Sequence, residues 1–139
     1  MIEIAVQTAD FDLSTLHDKL CEHNTQDGAV VHFLGRVRDL NEQHTVHSLT
    51  LEHYPGMTEK YLLDIAQTAK QKWDVGRVVI IHRVGALAVS DNIVFVGVTS
   101  PHRQDAFCSC AWIMDKLKST APFWKCEARP HGAEWLRPV

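Results

Sequence analysis

The sequence lacks an excess of positive charge, a long hydrophobic run and any stretch of low complexity. Its 139 residues include 14 Lys and Arg against 17 Asp and Glu, a formal net charge of -3. Such a chain has no overall basic field with which to bind nucleic acid or an anionic membrane surface. No apolar run approaches the ~20 residues that cross a bilayer. These absences argue against nucleic-acid and membrane proteins, and any cationic site must be local.

Cysteine-based motifs are also missing. The four cysteines, Cys21, Cys108, Cys110 and Cys126, form no C-x-x-C pair and show no disulfide-framework spacing. The first twelve residues carry three acidic residues and no Lys or Arg, which is the wrong charge pattern for an export signal. We therefore expect reduced thiols and a cytoplasmic location.

Metal and phosphate-loop motifs are absent as well. Cys108 and Cys110 lie two residues apart on a predicted helix, so they point to different faces and cannot share a metal ion. His47 and His53 can share a strand face but are too far apart for one ion, and no H-E-x-x-H occurs. The glycines are isolated, which argues against a glycine-rich phosphate loop. We expect no metal and no cofactor.

Strand and helix patterns are present, and they predict one α+β domain over residues 1–139. Alternating or β-branched runs predict strands at residues 2–7, 29–38, 46–54, 77–84, 92–99 and 123–128. Helical spacing predicts three helices, at residues 13–20, 57–75 and 100–118. One polar stretch predicts a loop at residues 39–45. The order β-α-β-β-α-β-β-α-β favours a mixed or antiparallel sheet over a parallel wound sheet.

The two long helices carry expected caps and an expected inward face. Thr58 is expected to cap the second helix and Gly76 to end it. Ser100 is expected to cap the third helix, with Pro101 at its first helical position. The residues of the third helix expected to face inward are Phe107, Ala111, Met114 and Leu117.

Two arginines close the second predicted strand. Alternation places Arg36 and Arg38 on one face, about 7 Å apart, with Val37 between them on the other face. Two guanidinium groups this close form a suitable clamp for a phosphate or carboxylate. The alternative is an edge strand that its charges protect from aggregation.

A second cationic pair, His102 and Arg103, follows Ser100-Pro101 at the start of the third helix. The free N–H groups and the positive dipole end of a helix favour an anion there, and this pair would reinforce the site. The alternative is that both side chains are only solvated.

Two lysines flank the end of the third helix. Lys118 stands in the last turn, where a lysine is usually only a partner of the helix dipole. Lys125 lies between aromatic residues and Cys126, and burial there would lower the pKa of its ammonium group and make it a usable base or nucleophile. Cys126 is either a reactive thiol or simple core filling.

Six segments, in this order, resemble one known family. They are DGAVV from Asp27, GRVR from Gly35, LEHYPGMTEK from Leu51, FVGVTSPHR from Phe95, MDKLK from Met114 and APFWK from Ala121. Together they resemble the catalytic (large) subunit of molybdopterin synthase, from about Asp27 to Glu127. Each segment is weakly diagnostic, whereas the combined pattern is specific.

The resemblance implies a fold, an assembly and a reaction. The implied fold is an α/β hammerhead type with two to three helices. The implied assembly is a homodimer in which each copy binds a small ubiquitin-like sulfur carrier, giving a heterotetramer. The Gly-Gly thiocarboxylate that ends the carrier would donate two sulfurs in turn to cyclic pyranopterin monophosphate (precursor Z), forming the dithiolene of molybdopterin.

The resemblance also implies residue roles. By position, Lys118 and Lys125 match the catalytic lysines of the family. The residues that match its substrate-binding stretches are Arg36, Val37, Arg38, His102, Arg103, Lys118, Lys125, Cys126 and Glu127. The chain departs from the family at Ser90, where a glycine is expected, at Cys126, where a basic residue is common, and in a short C-terminal tail.

Two other functions stay open on the sequence alone. One is a non-catalytic protein that binds an anion or a pterin in the same pocket. The other is a sulfurtransferase that carries a persulfide on Cys126. The joint presence of Arg38, Arg103 and the two lysines favours the synthase over both.

Overall fold

The computed structural model describes the backbone of residues 1–41, 44–45, 48–129 and 132–136. The helices, named in chain order, are α1 Leu13–Cys21, α2 Met57–Lys72 and α3 Arg103–Thr120. The strands are β1 Ile2–Gln7, β2 Ala29–Arg36, β3 Leu40–Asn41, β4 His44–Thr45, β5 Ser48–His53, β6 Val78–Arg83, β7 Gly85–Ala88, β8 Asn92–Ser100, β9 Phe123–Arg129 and β10 Gly132–Leu136. None of the helices in this part of the chain is long and apolar enough to cross a membrane.

The strands form two four-stranded sheets and one short hairpin. The first sheet has the order β1-β6-β8-β2, with β1 parallel to β6 and the other neighbours antiparallel. The second sheet, in the order β10-β9-β5-β7, is antiparallel throughout. The predicted α+β class with mixed and antiparallel sheets is therefore confirmed.

The first sheet is covered on both faces, as its β-branched strands predict. Along β6, Val78 and Ile80 pack into the main core with α2 and α3, whereas Val79 and Ile81 pack against α1 on the opposite face. This alternation follows from the two-residue period of a strand. A continuous apolar run in β6 therefore fills two separate cores.

Helix α1 forms as its sequence predicts. The Asp12 carboxylate accepts a hydrogen bond from the Ser14 N–H at 3.2 Å, which is a side-chain N-cap. Leu16 and Leu20 are buried on one face of the helix and pack with Phe95 of β8.

The predicted ends of α2 are wrong. Gly56, with φ of 84°, is the N-cap in place of Thr58, and its N–H donates to the Glu59 carboxylate at 3.3 Å. The helix ends at Lys72 rather than near Gly76, because Trp73 is extended and its N–H makes the last bond to the Ala69 carbonyl. The Thr58 side chain is fully buried, and its hydroxyl donates a hydrogen bond to the Pro122 carbonyl.

The predicted start of α3 is also wrong. Ser100 is the last residue of β8, where it pairs with Ala29, and its Oγ accepts the His102 N–H at 3.0 Å. The N-cap is His102 and the helix begins at Arg103, so Pro101 stands before the helix and not in its first turn.

The inward face of α3 is rotated by one residue from the prediction. Leu117 is buried as expected and Met114 is partly buried against the main core, but Phe107 is 63% exposed and Ala111 is exposed. The buried residues are Ala106, Ser109, Cys110, Ile113 and Leu117. Two apolar stripes about 100° apart run along this helix, and periodicity alone does not decide which one meets the sheet.

Some strand boundaries differ from the predictions. The predicted 39–45 loop contains β3 and β4, which pair Leu40 with Thr45. The second strand stops at Arg36, where the register with β8 shifts, rather than at Arg38. Strands β7 and β10 were not predicted at all. Val46 and His47, the first two residues of the predicted 46–54 strand, lie outside the described residues.

Candidate functional site

The end of β2, where Arg36 lies, is hydrogen-bonded to the turn between β7 and β8. Val37 is 6% exposed; its N–H donates to the Asp91 carbonyl and its carbonyl accepts from the Ser90 N–H, both at 2.9 Å. The Arg36 guanidinium donates from Nε and Nη2 to the Ser90 carbonyl at 3.2 and 3.1 Å. Arg36 therefore holds this turn in place.

Ser90, where the family pattern has a glycine, lies in this turn. Its φ is 75°, in the left-handed region that glycine occupies without strain. A glycine is therefore the residue that this turn favours, as the resemblance implies. The carbonyl of the strained residue is the one that Arg36 binds.

An open pocket of about 410 Å³ lies between this turn and the end of β2. Arg36 and Arg38 both line it, as predicted, because the side chain of Val37 between them is turned into the core. Arg38 is exposed, and no described residue forms a hydrogen bond or ion pair with its guanidinium. Arg38 is thus available to an anion, whereas Arg36 is already partly committed.

Lys118 lies at the same end of the molecule as this pocket. The Cys110 Sγ contacts the Val96 carbonyl at 3.7 Å, which shows that α3 runs back alongside β8 from Ser100 toward Asn92. Asn92 is the residue that pairs with Arg36. Lys118 stands in the last turn of α3 and is exposed, with its ammonium open to a ligand.

Strand β9 leads from the end of α3 toward the same pocket. Lys125, Cys126 and Glu127 pair with Leu51, Thr50 and Leu49 of β5. Next along the strand, Ala128 pairs with Ser48, which pairs with Ala88, the residue before the pocket-lining Val89. The side chains of Lys125, Cys126 and Glu127 lie outside the described part of the structure.

His102 and Arg103 lie at the opposite end. Both are exposed at the start of α3, and the His102 Nε2 is 3.9 Å from the Asp74 carboxylate. Fifteen residues separate Arg103 from Lys118, which is about 22 Å along a helix. Within one chain, the structure therefore groups Arg36, Arg38, Lys118 and the backbone of β9, and it separates His102 and Arg103 from them.

The buried residue His82 is not among the residues predicted from the sequence. Its ring stacks on that of Phe123 with centroids 3.8 Å apart, and its Nδ1 lies 2.8 Å from the Arg83 carbonyl, which fixes Nδ1 as the donor. Burial lowers the pKa of His82 to about 4. The two-residue period of β6, in which Val78, Ile80 and His82 share a face, was the signal that could have found it.

We expect His82 to make the protein sensitive to mild acid. The pKa of His82 falls from 6.5 in the unfolded chain to about 4 in the folded chain. The unfolded chain therefore binds more protons between these values, and stability is lost as the pH falls from 6.5 to 4. In urea titrations at pH 7 and pH 4, His82→Phe should remove up to about 3 kcal/mol of this loss.

A core variant without a titratable group provides the control for this measurement. Val79→Ala, on the opposite face of the sheet, should lower stability by the same amount at both pH values. An acid sensitivity in His82→Phe equal to that of the wild type would contradict the role of His82.

The fold and the geometry define the class of protein: it is an α+β protein in which a pocket lined by two arginines and an exposed lysine lie at one end of the sheets. A model of the family described as "MoaE protein" matches residues 6–120. The molybdopterin synthase catalytic subunit of Escherichia coli (strain K12) is 51% identical over 134 residues, covering 96% of this chain and 89% of that protein. The chain belongs to the MoaE protein family.

Solved structures agree with this assignment. The molybdopterin synthase structure from Staphylococcus aureus has a TM-score of 0.87 and 31% identity, and covers 95% of both chains. A complex of subunits 1 and 2 of molybdopterin-converting factor from Helicobacter pylori has a TM-score of 0.77 over 98% of this chain and 90% of that chain. At 18% identity, the second likeness shows the fold alone.

Proposed function

We propose that this protein is the catalytic subunit of a molybdopterin synthase. It transfers two sulfurs from the thiocarboxylated C-terminus of a small carrier to cyclic pyranopterin monophosphate, precursor Z. The observation that carries the proposal is the 51% sequence identity, over 96% of this chain, to a molybdopterin synthase catalytic subunit. The grouping of cationic side chains at one end of the sheets supports it.

The cationic end suits both reactants. The cyclic phosphate of the precursor and the thiocarboxylate of the carrier are anions, and fixed guanidinium and ammonium groups stabilise such charges. Arg38, whose guanidinium no described residue binds, is the phosphate ligand that we favour. Val37 serves by keeping the two arginines on the pocket side.

The two lysines supply the proton transfers. Opening a cyclic phosphate and adding sulfur to carbon both need protons delivered and removed at defined atoms. We assign Lys125 to the side of the pterin and Lys118 to the side of the carrier terminus. There the Lys118 amine can also take the acyl group of the carrier once the sulfur has bonded to the precursor, so that the acyl C–S bond breaks and the sulfur stays on the precursor. Cys126 and Glu127 follow Lys125 along β9 and complete the substrate-binding stretch.

His102 and Arg103 serve the pocket of a second copy. The strand from Asn92 to Ser100 is about 26 Å long, so these two residues cannot reach the pocket of their own chain. Strand β2 is an edge of the first sheet as described, and Val30, Phe33 and Phe107 are exposed near it. An antiparallel pairing of two such edges about a two-fold axis brings the Ala29 end of one copy, beside its His102, to the Arg36 end of the other.

The remaining parts of the proposal concern the assembly and its location. Residues 1–139 act as one domain, two copies form a homodimer, and each copy binds one small ubiquitin-like carrier ending in a Gly-Gly thiocarboxylate. The resulting heterotetramer works in the cytoplasm.

A reconstituted reaction tests the proposal. Purified protein is mixed with the thiocarboxylated carrier and precursor Z, and molybdopterin is followed by mass spectrometry. Conversion that depends on all three components supports the proposal. Tight binding of the precursor without conversion would instead indicate the non-catalytic alternative.

Replacing Cys126 by alanine separates the synthase from a persulfide sulfurtransferase. If the carrier supplies the sulfur, Cys126→Ala should at most weaken the binding of precursor Z, and turnover at saturating precursor should stay within about twofold of the wild type. Loss of a nucleophile that carries the sulfur would instead abolish turnover. Cys108→Ala, which changes an exposed thiol on α3, is the matched control.

A further inference from the structure

The two lysines to which we assign catalysis are joined by a short connection. Lys118 stands in the last turn of α3 and Lys125 is the third residue of β9. The three residues Ala121–Phe123 make the corner between these elements, and the Phe123 N–H donates to the Ala121 carbonyl at 2.9 Å. Ala121 and Phe123 are each 1% exposed. The conformation of this corner sets how the two lysine-bearing backbones stand relative to each other.

Thr58 of α2 holds the middle of the corner. Its Oγ1 donates to the Pro122 carbonyl at 3.2 Å and accepts the Tyr54 N–H at 3.1 Å. Its side chain is completely buried, and its backbone N–H donates to the Tyr54 carbonyl at 2.9 Å. The hydroxyl therefore acts as donor and acceptor at once, between two segments that are far apart in the sequence.

The corner offers few other polar groups to hold. Pro122 has no N–H, so its carbonyl is the backbone group through which that residue can be fixed by a hydrogen bond. A buried hydroxyl costs free energy unless it is paired, so an apolar side chain would fill this core position more cheaply if space-filling were its purpose. The hydroxyl at position 58 is therefore explained by its two hydrogen bonds, to the Tyr54 N–H and to the Pro122 carbonyl, and the second of these holds the corner.

The far side of the corner is held by β5 and β6. The Phe123 ring stacks on that of His82, with an interplanar angle of 17°, and the Phe123 backbone pairs with His53 of β5. The corner is therefore fixed by its carbonyl, by a ring and by strand pairing, from three different elements.

We infer that Thr58 is a positioning residue for sulfur transfer: through Pro122 it sets the relative placement of Lys118 and Lys125. This inference rests on the proposed function. Thr58 touches neither lysine and acts through the corner. Displacing a reacting group by about 1 Å can cost as much as 10²-fold in rate, so a small relaxation of the corner is enough to matter.

The test is Thr58→Val in the reconstituted complex, because valine has nearly the shape of threonine without its hydroxyl. We expect kcat to fall by about 10-fold or more, while the KM for precursor Z and the affinity for the carrier change less than about twofold. Thr58→Ser, which restores the hydroxyl, should return kcat to within about threefold of the wild type.

A variant that loses stability elsewhere separates positioning from general destabilisation. Val79→Ala removes buried volume on the α1 side of the first sheet, away from the corner. At a temperature where all variants are folded, it should keep the wild-type kcat. Equal kcat losses in Val79→Ala and Thr58→Val would overturn the inference, as would a folded Thr58→Ser that stays as slow as Thr58→Val.

A second variant keeps the inference testable if Thr58→Val does not fold. Thr58→Ala also removes the hydroxyl, but it places no methyl group against the Pro122 carbonyl and the Tyr54 N–H. It should show the same loss in kcat at unchanged KM, and a normal kcat of the folded variant would contradict the inference. An inactive wild type would overturn the proposed function together with this inference, whereas an active wild type with a normal Thr58→Val overturns the inference alone.

Discussion

Replacing Lys118 by alanine is expected to lower the kcat of molybdopterin formation by about 10²-fold or more, the usual contribution of a positioned acid–base group. The reason is its place at the end of α3, exposed and at the same end of the sheets as Arg36 and Arg38. Product formation in the reconstituted complex is the measurement. Precursor binding should weaken much less, because the arginine pocket is left intact.

The matched control for this substitution stands two residues earlier on the same helix. Lys116 is also a lysine of α3, but its ammonium lies 5.6 Å from the Trp112 ring centroid, in a surface cation–π contact. Lys116→Ala should therefore keep turnover near the wild-type value. Lys118→Arg keeps the charge but removes an amine that can transfer a proton or accept an acyl group, and it should stay slow. Near-normal turnover of Lys118→Ala would reject the assignment.

Strand β6 and helix α1 could be predicted because local signals and tertiary demands agree there. Strand β6 is apolar over both of its faces because both faces are covered, and its β-branched residues carry that information directly. Asp12 is both a good N-cap residue and the observed cap. In such places a short window of sequence contains the whole cause of the structure.

The face of α3 could not be predicted, because the cause lies outside the helix. Phe107 and its neighbours form an apolar stripe as convincing as the stripe through Ala106 and Ile113, and the path of β8 decides which one is covered. The exposed stripe lies on the part of the surface where we place the second copy. A helix with two apolar stripes is what a chain with two packing partners requires.

Near the pocket, the shared placement of Arg36 and Arg38 could be predicted from the sequence, whereas the contact made by Thr58 could not. The alternation around Val37 correctly placed Arg36 and Arg38 on one pocket. The sequence pattern favours Thr58 as a helix cap because it lies two residues from the true cap, Gly56, and its partner Pro122 is 64 residues away. A contact over that separation leaves no trace in any local pattern.

The geometry limits how the cationic segments can meet at one site. A helix of the length of α3 keeps its ends apart, so Lys118 and the pair His102–Arg103 can meet one substrate only across two copies. This constraint predicts how active a dimer of two different variants will be, and the prediction can be tested without a structure of the complex.

Mixed dimers of two defective proteins are expected to regain activity. One protein carries Lys118→Ala and the other carries His102→Ala with Arg103→Ala, and each alone should be nearly inactive. In a dimer of the two, one pocket collects every defect and the other collects none. Dimers isolated with two affinity tags should therefore show about half of the wild-type turnover, because one of two symmetric sites is intact.

A second pair of variants is the control. Lys118 and Lys125 both belong, in this proposal, to the pocket of their own chain. In a mixed dimer of Lys118→Ala and Lys125→Ala, each pocket therefore keeps one defect, and activity should stay low. Recovery in the first pair and none in the second is the pattern that two copies sharing each site must give. If the first pair also stays inactive while its dimers are folded and bind the carrier, then His102 and Arg103 do not serve the pocket of the other copy. The cationic site would then consist of the arginine and lysine end of each chain alone.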